Sequence, residues 1–171
     1  MAAPKHLLGY LVKSILRPFL TAYVKRRCGS CGPGLKVNLF STVTPTTHLG
    51  SNVNFNGMSI GGGGKVYIGN NFHSGKHCII ITDCHNYEGT AVPYDDTVIS
   101  KDVIIEDNVW IGYGVIILGG ARIGEGAIIQ AGSVVVSDIP ACAIAGGHPA
   151  RQFKRRDLEH YTVLKSQGRF L

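Results

Sequence analysis

The stretch "ISKDVIIEDNVWIGYGVIILGGARIGEGAIIQAGSVV", residues 99–135, decides the fold because β-branched residues recur in it at every sixth position. The members of this series are Ile99, Ile105, Ile111, Ile117, Ile123, Ile129 and Val135, followed in phase by Ala141 and Gly147. The fourth residue after each is small or apolar: Val103, Val109, Val115, Ala121, Ala127, Ser133, Ile139 and Ala145. A period of six fits neither an α-helix nor a simple hairpin. It predicts a solenoid of short strands and tight turns, in which stacked coils bury a continuous core.

The same period of six runs upstream of this stretch. Its first members are Val37, Val43, Leu49 and Phe55. The phase shifts after the four glycines at 61–64 and starts again at Ile68. The rhythm then stops at His85 and resumes near Ile99. We therefore predict that residues 85–98 form a loop that projects from a corner of the solenoid, and such loops on rigid scaffolds commonly carry function.

The composition suits a single globular domain, since 44% of the 171 residues are apolar and 16% are charged. The net charge is +6, with basic clusters at 25–27 and 151–156. Such ends can meet an anionic membrane or a phosphorylated small molecule; nucleic acid is disfavoured because no aromatic-interleaved basic motif is present. Five cysteines and no recognisable secretion signal indicate a reduced, cytoplasmic protein. The "CGSC" of Cys28 and Cys31 is interpreted as a turn after a helix.

Apolar residues near the N-terminus fall at helical spacing. They are Leu7, Leu8, Leu11, Val12, Ile15, Phe19, Leu20 and Tyr23. Lys13 and Arg17 interrupt the segment, so it predicts an amphipathic helix, kinked at Pro18, and not a transmembrane span. We expect this helix to pack on the protein's own body or on a neighbouring subunit. Attachment of residues 5–27 to the inner face of a membrane is the alternative.

The segment "NVWIGYGVIILGGARIGEGAIIQAGSVVVSDIPACAIAGGHPAR", residues 108–151, closely resembles the C-terminal signature of the hexapeptide-repeat acyltransferases. Within that family the chain looks most like the branch of galactoside, maltose and capsular-polysaccharide O-acetyltransferases, over roughly residues 37–156. The resemblance implies an all-β solenoid, a left-handed parallel β-helix of triangular section with three hexapeptides in each coil. It also implies a homotrimer that uses acetyl-CoA as donor, a sugar or polysaccharide as acceptor, and no metal.

Periodicity and resemblance together divide the chain into three parts. Residues 1–34 are expected to hold the N-terminal helix and a turn. Residues 35–156 are expected to form the β-helix with its loop at 85–98, and residues 157–171 a short C-terminal helix or tail. The first and last of these parts lie outside the resemblance.

The resemblance assigns a catalytic role to His85. In the family a His at the start of this loop is the general base that deprotonates the acceptor hydroxyl, and a neutral imidazole suits that task near neutral pH. The family often has Asp where this chain has Cys84, so the group that orients the imidazole stays open. Asp83, Glu88, Asp95 or a backbone carbonyl could do so. Direct transfer from a thioester needs no enzyme nucleophile, which disfavours such a role for Cys84.

The resemblance also implies polar residues around the acceptor. The candidates are Asn56, Asp83, Asn86 and Tyr94. Asn56 ends a "VNFN" string similar to one whose Asn amide binds the acceptor in the sugar acetyltransferases; a turn asparagine is the competing interpretation. Acidic residues often follow this string in the family, whereas this chain has the four glycines at 61–64, which leaves the acceptor open.

The donor positions follow from the resemblance in the same way. Gly112, Tyr113, Ala131 and Gly132 correspond to positions that contact the pantetheine arm. Ser137, Arg151 and Lys154 correspond to positions near the adenosine and phosphates, where cations give charge-assisted hydrogen bonds. A solvated basic tail is the competing interpretation of the two cations. At His148 the chain departs from the family, which usually has Asn or Val before this proline. Trp110 is interpreted as an apolar-packed structural residue.

Three other functions compete with O-acetylation. N-acetylation of a nucleotide-linked amino sugar would supply its own nucleophilic amine, so that His85 would matter less. The γ-type carbonic anhydrases share the β-helix and bind zinc through three histidines, for which His73 and His77 with His48 or His85 would be the set. That zinc family lacks the ending seen here. A non-enzymatic scaffold is disfavoured by the loop that carries His85.

Overall fold

The computed structural model describes the backbone of residues 5–171 and the side chains of residues 15–171. Leu7, Leu8, Leu11 and Val12 of the predicted amphipathic helix thus lie outside the described side chains.

Helix α1 (Lys5–Arg27) continues through Pro18 and lies against the first coil. Leu20, Tyr23 and Val24 contact the core, and the backbone amide of Val37 donates to the hydroxyl of Thr21 at 3.2 Å. The helix therefore covers the N-terminal end of the solenoid.

Short strands form three parallel sheets, which we call the first, second and third faces. The first face contains β1 (Ser30–Cys31), β3 (Thr47–Leu49), β6 (Val66–Ile68), β11 (Val103–Ile105) and β14 (Arg122–Ile123). The second face contains β2 (Lys36–Leu39), β4 (Asn54–Asn56), β7 (His73–Lys76), β12 (Trp110–Ile111), β15 (Ile128–Ile129) and β17 (Ala143–Gly147), with β18 (Ala150–Arg155) antiparallel at its edge. The third face contains β5 (Ser59–Gly61), β8 (Ile79–Ile81), β13 (Ile116–Leu118) and β16 (Val134–Val135). A hairpin of β9 (Asp83–His85) and β10 (Val98–Ser100) stands apart, and α2 (Leu158–Ser166) follows the last strand.

The chain visits the three faces in turn, so the architecture is the predicted left-handed parallel β-helix of about six turns. Residues stacked on one another in successive coils are commonly 18 positions apart, as Asn38 and Asn56 are. Across the hairpin the separation becomes 37, as between Asn71 and Asn108, yet the pairing continues on all three faces. The hairpin is therefore an insertion that leaves the coil register intact.

The period-six series lines the inside of this triangle. Ile105, Ile111, Ile117, Ile123 and Ile129 are at most 1% exposed. The second series, four residues later, is buried as well, from Val103 through Ser133 to Ala145. Stacked aliphatic side chains thus form one continuous core, which is the main stabilising contribution in such a repeat structure.

The prediction of inward-facing positions is wrong at both ends of the series. Ile99 is 38% exposed and pairs with Cys84 in the antiparallel hairpin, so the coil resumes at Val103. The positions of Ala141 and Gly147 are also exposed. Ile129 pairs with Ala145, where an 18-residue coil would bring Gly147, so the last coil is shorter and its inward positions move.

A ladder of polar side chains runs along the corner between the first and second faces. The Asn52 amide donates to Asn71 at 3.1 Å, Asn71 donates to Asn108 at 2.9 Å, and Asn108 donates to Glu125 at 3.2 Å. The hydroxyl of Tyr161 on α2 donates to the same Glu125 carboxylate at 2.8 Å. Burial, together with this carboxylate, raises the pKa of Tyr161 to about 12. The ladder thereby attaches α2 to the solenoid.

Candidate functional site

The hairpin is anchored to the coil through Asp83. Its carboxylate accepts hydrogen bonds from the Ser100 hydroxyl at 2.8 Å and from the backbone amide of Gly63 at 2.7 Å. The hydrogen bond from Ser100, followed by that from Gly63, holds the pKa of Asp83 below its usual range. Gly62 has a φ of +105°, and a Cβ there would lie 2.2 Å from the Thr82 hydroxyl, so this turn requires glycine. The turn formed by the four glycines therefore contacts and holds the base of the hairpin.

The tip of the hairpin is closed by Asp95. Its carboxylate accepts from the Thr97 hydroxyl at 2.5 Å, from the Thr97 amide at 2.9 Å and from the Thr90 amide at 3.0 Å. The bond from the Thr97 hydroxyl is the main reason that the pKa of Asp95 is lowered. Both ends of the excursion are thus fixed by side-chain to backbone hydrogen bonds, which gives a loop with a defined shape.

His85 lies exposed at the end of β9 and stacks on Tyr94. The two ring centroids are 4.0 Å apart with an interplanar angle of 11°. Within residues 15–171 neither ring nitrogen of His85 bonds to a carboxylate, since Asp83 and Asp95 bind Ser100, Gly63, Thr97 and Thr90 instead. The contact that orients the imidazole is therefore an aromatic stack, and none of the carboxylates considered from the sequence supplies it.

The predicted amides both make structural hydrogen bonds. The side chain of Asn56 donates to the Ser74 carbonyl at 2.7 Å and accepts from Asn38 at 3.1 Å. The side chain of Asn86 accepts from the backbone amide of Glu88 at 3.2 Å. Asn56 lies at the end of the second face, whereas Asn86 lies in the hairpin with His85 and Tyr94. The structure thus brings Asn86 and Tyr94 together with the predicted base His85, places Asp83 at the foot of the same hairpin, and leaves Asn56 apart from them.

The predicted pantetheine positions meet at the corner between the second and third faces, which we call the donor corner (residues 112–114 and 130–132). The Gly132 amide donates to the Tyr113 carbonyl at 2.7 Å. A Cβ on Gly112 would lie 2.5 Å from the Ala131 nitrogen, so the two turns stack without room for a side chain. Tyr113 is 58% exposed, and its ring meets His77 edge-on at 5.5 Å. His77 is a neighbour of this corner that its sequence context did not indicate.

The predicted phosphate positions are spread beyond the donor corner, since Ser137 follows β16 of the third face, whereas Arg151 and Lys154 lie on β18 at the edge of the second face. Arg151 donates to the Ser137 hydroxyl at 3.3 Å, which joins two of the three predicted residues. Lys154 lies on the same strand, opposite Ile144, and is exposed. His148 contacts the Gly132 carbonyl through its ring nitrogen, so the departure from the family pattern at this position ties the last turn to the donor corner. The resulting surface is cationic and open.

His85 and the donor corner lie at different corners of the triangle. The hairpin leaves the chain after β8 on the third face and returns before β11 on the first, whereas the donor corner precedes the third face. Between them the third face carries outward apolar side chains: Ile79, Ile81, Ile116, Leu118, Val134 and Val136. One chain alone therefore leaves the two halves of the predicted site apart, separated by an apolar strip.

A cavity of about 490 Å³ lies where α2 covers the second face. Its walls include His73, Trp110, Tyr161 and Arg169. Trp110 is 50% exposed, so its interpretation as an apolar-packed residue is wrong. The residue precedes inward-facing Ile111 in a strand, and alternation along a strand turns it outward. Burial lowers the pKa of His73 in the same wall.

The histidines of the zinc interpretation are dispersed. His48 stacks on Tyr67 on the first face, His73 lies on the second face and His85 lies on the hairpin. Across the side chains from residue 15 onward, no three His, Cys, Asp or Glu groups are close enough to hold a metal ion. The structure thus offers no ligand set of the carbonic anhydrase kind in this region.

Comparison with known proteins identifies the repeat. Residues 102–137 match the family described as bacterial transferase hexapeptide (six repeats). The galactoside O-acetyltransferase of Lactococcus lactis subsp. lactis is 34% identical over 123 residues, which cover 67% of this chain and 56% of that protein. The chain thus spans about half the length of the curated relatives it matches.

Solved structures share the fold over most of the chain. A hexapeptide-repeat acetyltransferase from Vibrio cholerae has a TM-score of 0.68 and 25% identity, with 90% of this chain and 94% of that chain covered. A galactoside acetyltransferase in complex with coenzyme A has a TM-score of 0.72 and 23% identity, with 94% and 86% covered. The structural similarity thus extends well beyond the repeats at residues 102–137.

Proposed function

Because the chain belongs to the bacterial hexapeptide-repeat transferases, we propose that it transfers an acetyl group from acetyl-CoA to a hydroxyl of a sugar or polysaccharide. The observation that carries this proposal is the exposed imidazole of His85, stacked on Tyr94 in a loop that is fixed at both ends. The name of the Lactococcus relative supports oxygen as the acceptor atom. Acetyl-CoA as donor is supported by the coenzyme A complex among the similar structures.

We propose a homotrimer as the active form. The outward aliphatic side chains of the third face form a strip that water solvates poorly, and a second copy would cover it. Packing there would bring the hairpin of one copy toward the donor corner of its neighbour. Two halves that lie apart in one chain would then form one site.

The proposed reaction is direct transfer. The neutral imidazole of His85 takes the proton of the acceptor hydroxyl, and the oxygen attacks the thioester carbonyl. The tetrahedral intermediate collapses with cleavage of the C–S bond, and the CoA sulfur leaves with the proton returned by the imidazolium. A backbone amide of the donor corner would stabilise the oxyanion. Tyr94 keeps the ring of His85 in place, and the Cys84 thiol, which contacts the His85 carbonyl at 3.3 Å, takes no part.

The donor would lie along the stacked turns of the donor corner. Gly112 and Ala131 approach so closely that only main chain is presented there, which suits the narrow pantetheine arm. Arg151, held by Ser137, and Lys154 would bind the phosphates through charge-assisted hydrogen bonds. Acetyl-CoA is an intracellular donor, so we also propose that the enzyme works in the cytoplasm.

The acceptor would enter between His85, Tyr94 and Asn86. The exposed face of the His85–Tyr94 stack offers a flat apolar surface of the kind that sugar rings pack on, with Asn86 beside it. Asn56 and Asp83 remain predicted acceptor residues. Their observed hydrogen bonds suggest support of the site from the coil and from the base of the hairpin.

The decisive experiment measures thiol release from acetyl-CoA with matched pairs of sugars and amino sugars. The proposal expects turnover with hydroxyl acceptors that depends on His85. Turnover with amino sugars alone, independent of His85, would replace it by N-acetylation of an amino sugar. No thiol release with either class would remove the enzymatic proposal.

A further inference from the structure

The charge of the chain is divided sharply along its length. Residues 1–82 contain nine Lys and Arg residues and no Asp or Glu, and all eleven acidic residues lie from Asp83 onward. Because each coil stacks on the preceding one, position in the sequence is also position along the solenoid axis. The coils at the N-terminal end of the molecule therefore contain no acidic side chain of their own, whereas the later coils have mixed charge; Leu171 folds back onto these first coils, where its main-chain oxygen accepts from Asn52 at 2.7 Å.

Helix α1 presents an apolar stripe on the side away from the core at this cationic end. Val24 is fully buried against the solenoid, whereas Ile15 is 62% and Phe19 is 71% exposed. With 3.6 residues per turn, Ile15 and Phe19 lie roughly opposite Val24 on the helix surface. Arg26 falls on the same outward side and is exposed. The helix thus has two apolar sides, of which only one is used in packing.

The stripe continues onto the first coil. Phe40 is 63% exposed, and its ring centroid lies 5.4 Å from that of Tyr23. Exposed cations flank this patch, namely Lys25, Arg26 and Arg27, the last with its guanidinium 5.2 Å from the centre of the Tyr23 ring. We call the outward side of α1 together with Phe40 the basal patch.

We propose that the basal patch docks on an anionic lipid surface, with Ile15, Phe19 and Phe40 at the level of the acyl boundary and the cations among the lipid phosphates. The combination of an apolar stripe with cations and no acidic residue is what carries the choice of partner. A second copy packed through this end would place cation against cation without a counter-charge. In the part of the chain that the structure describes, no helix is long and apolar enough to cross a bilayer.

The experiment is cosedimentation of the full chain with vesicles of phosphatidylcholine alone or mixed with phosphatidylglycerol. We expect binding to the mixed vesicles, weakened by salt, and little to phosphatidylcholine alone. Lys25→Gln/Arg26→Gln should lower the partition coefficient about 25-fold, since each cation near such a surface contributes roughly a fivefold factor. Ile15→Ser/Phe19→Ser should lower it by at least about tenfold.

Matched variants elsewhere control for loss of charge and of apolar surface. Lys65→Gln/Lys101→Gln removes two cations away from the basal patch, and Val163→Ser changes an exposed aliphatic residue of α2. Both should bind the mixed vesicles as the wild type does. Equal binding to both vesicle types, or equal loss in the control variants, would overturn the proposal.

The oligomeric state gives a further test. If Ile15→Ser/Phe19→Ser reduces the sedimentation coefficient in the absence of lipid, the basal patch is a contact between copies and the proposal is wrong. Thiol release from acetyl-CoA without vesicles should be unchanged in every one of these variants. Failure of lipid docking is therefore distinguishable from failure of the proposed acetyl transfer.

Discussion

Replacing His85 by Ala should lower kcat on a hydroxyl acceptor by about 10²–10⁴-fold, the usual contribution of a positioned general base. At about 1.36 kcal/mol for each factor of ten, this corresponds to roughly 3–5 kcal/mol of transition-state stabilisation. His85 is exposed and belongs to an insertion outside the stacked coils, so folding should survive the change. Circular dichroism and sedimentation would check that it does.

The stack on Tyr94 predicts a second, smaller loss of kcat. An aromatic pair with centroids 4.0 Å apart contributes about 0.5–1.5 kcal/mol. If Tyr94 acts only by orienting His85, Tyr94→Ala should lower kcat by roughly 2- to 13-fold. The double variant should then be no slower than His85→Ala, because the stack has nothing left to orient. Tyr87→Ala is the matched control, since Tyr87 is an exposed tyrosine of the same loop.

The assay is thiol release at saturating acetyl-CoA across a pH series. His85→Ala should lose the ascending limb of the rate profile, while Tyr94→Ala should keep it. Turnover of His85→Ala within threefold of the wild type would refute the general-base assignment. A double variant much slower than His85→Ala would show that Tyr94 has a role of its own in the transition state.

Three further predictions concern the donor site, the hairpin and the assembly. Arg151→Ala/Lys154→Ala should raise KM for acetyl-CoA and leave the acceptor KM unchanged, with a loss of at most about 1.5–3 kcal/mol for each cation, whereas Arg155→Ala on the same strand should change neither. The folded-state pKa of Asp83 is depressed, so the stability it contributes is present above its unfolded pKa and lost as pH falls through the folded value; the protection factors of the hairpin amides, taken against their intrinsic exchange rates at each pH, should therefore fall in acid, and Asp83→Asn should lower them already at neutral pH. Ile116→Asp on the third face should convert a trimer to monomers in sedimentation and abolish activity; an active monomer, in either variant or wild type, would contradict the proposed assembly.

The coil interior could be predicted from the sequence because it depends on a local regularity. Every coil repeats the same backbone path, so one period of inward positions suffices from Ile105 to Val135. Ile99 fell into this series by coincidence of spacing, and nothing local distinguishes it from a coil residue. Only its pairing with Cys84 does so, and that pairing depends on closure of the loop.

The geometry of the candidate site could be predicted only in part. The break in period located His85, but its stack on Tyr94 depends on how the hairpin closes, with the Asp95 amide donating to the Asn86 carbonyl at 3.3 Å, and the periodicity does not predict that path. The exposure of Trp110 could have been found, because a residue directly before an inward Ile must face outward in a strand. The separation of the hairpin from the donor corner could not have been found in this way, because it depends on which corner of the triangle each turn occupies.

The hairpin enters and leaves the solenoid at neighbouring points, since Asp83 pairs with Ser100, and the coils above and below it pair as though it were missing. Its length and composition are therefore free of any constraint from the core. In evolutionary terms, a substrate-selecting segment can be lengthened, shortened or exchanged here while the donor turns stay fixed. In engineering terms, the same junction is the place to transplant a loop, so that the range of acceptor substrates could be altered without redesigning the β-helix that carries the loop.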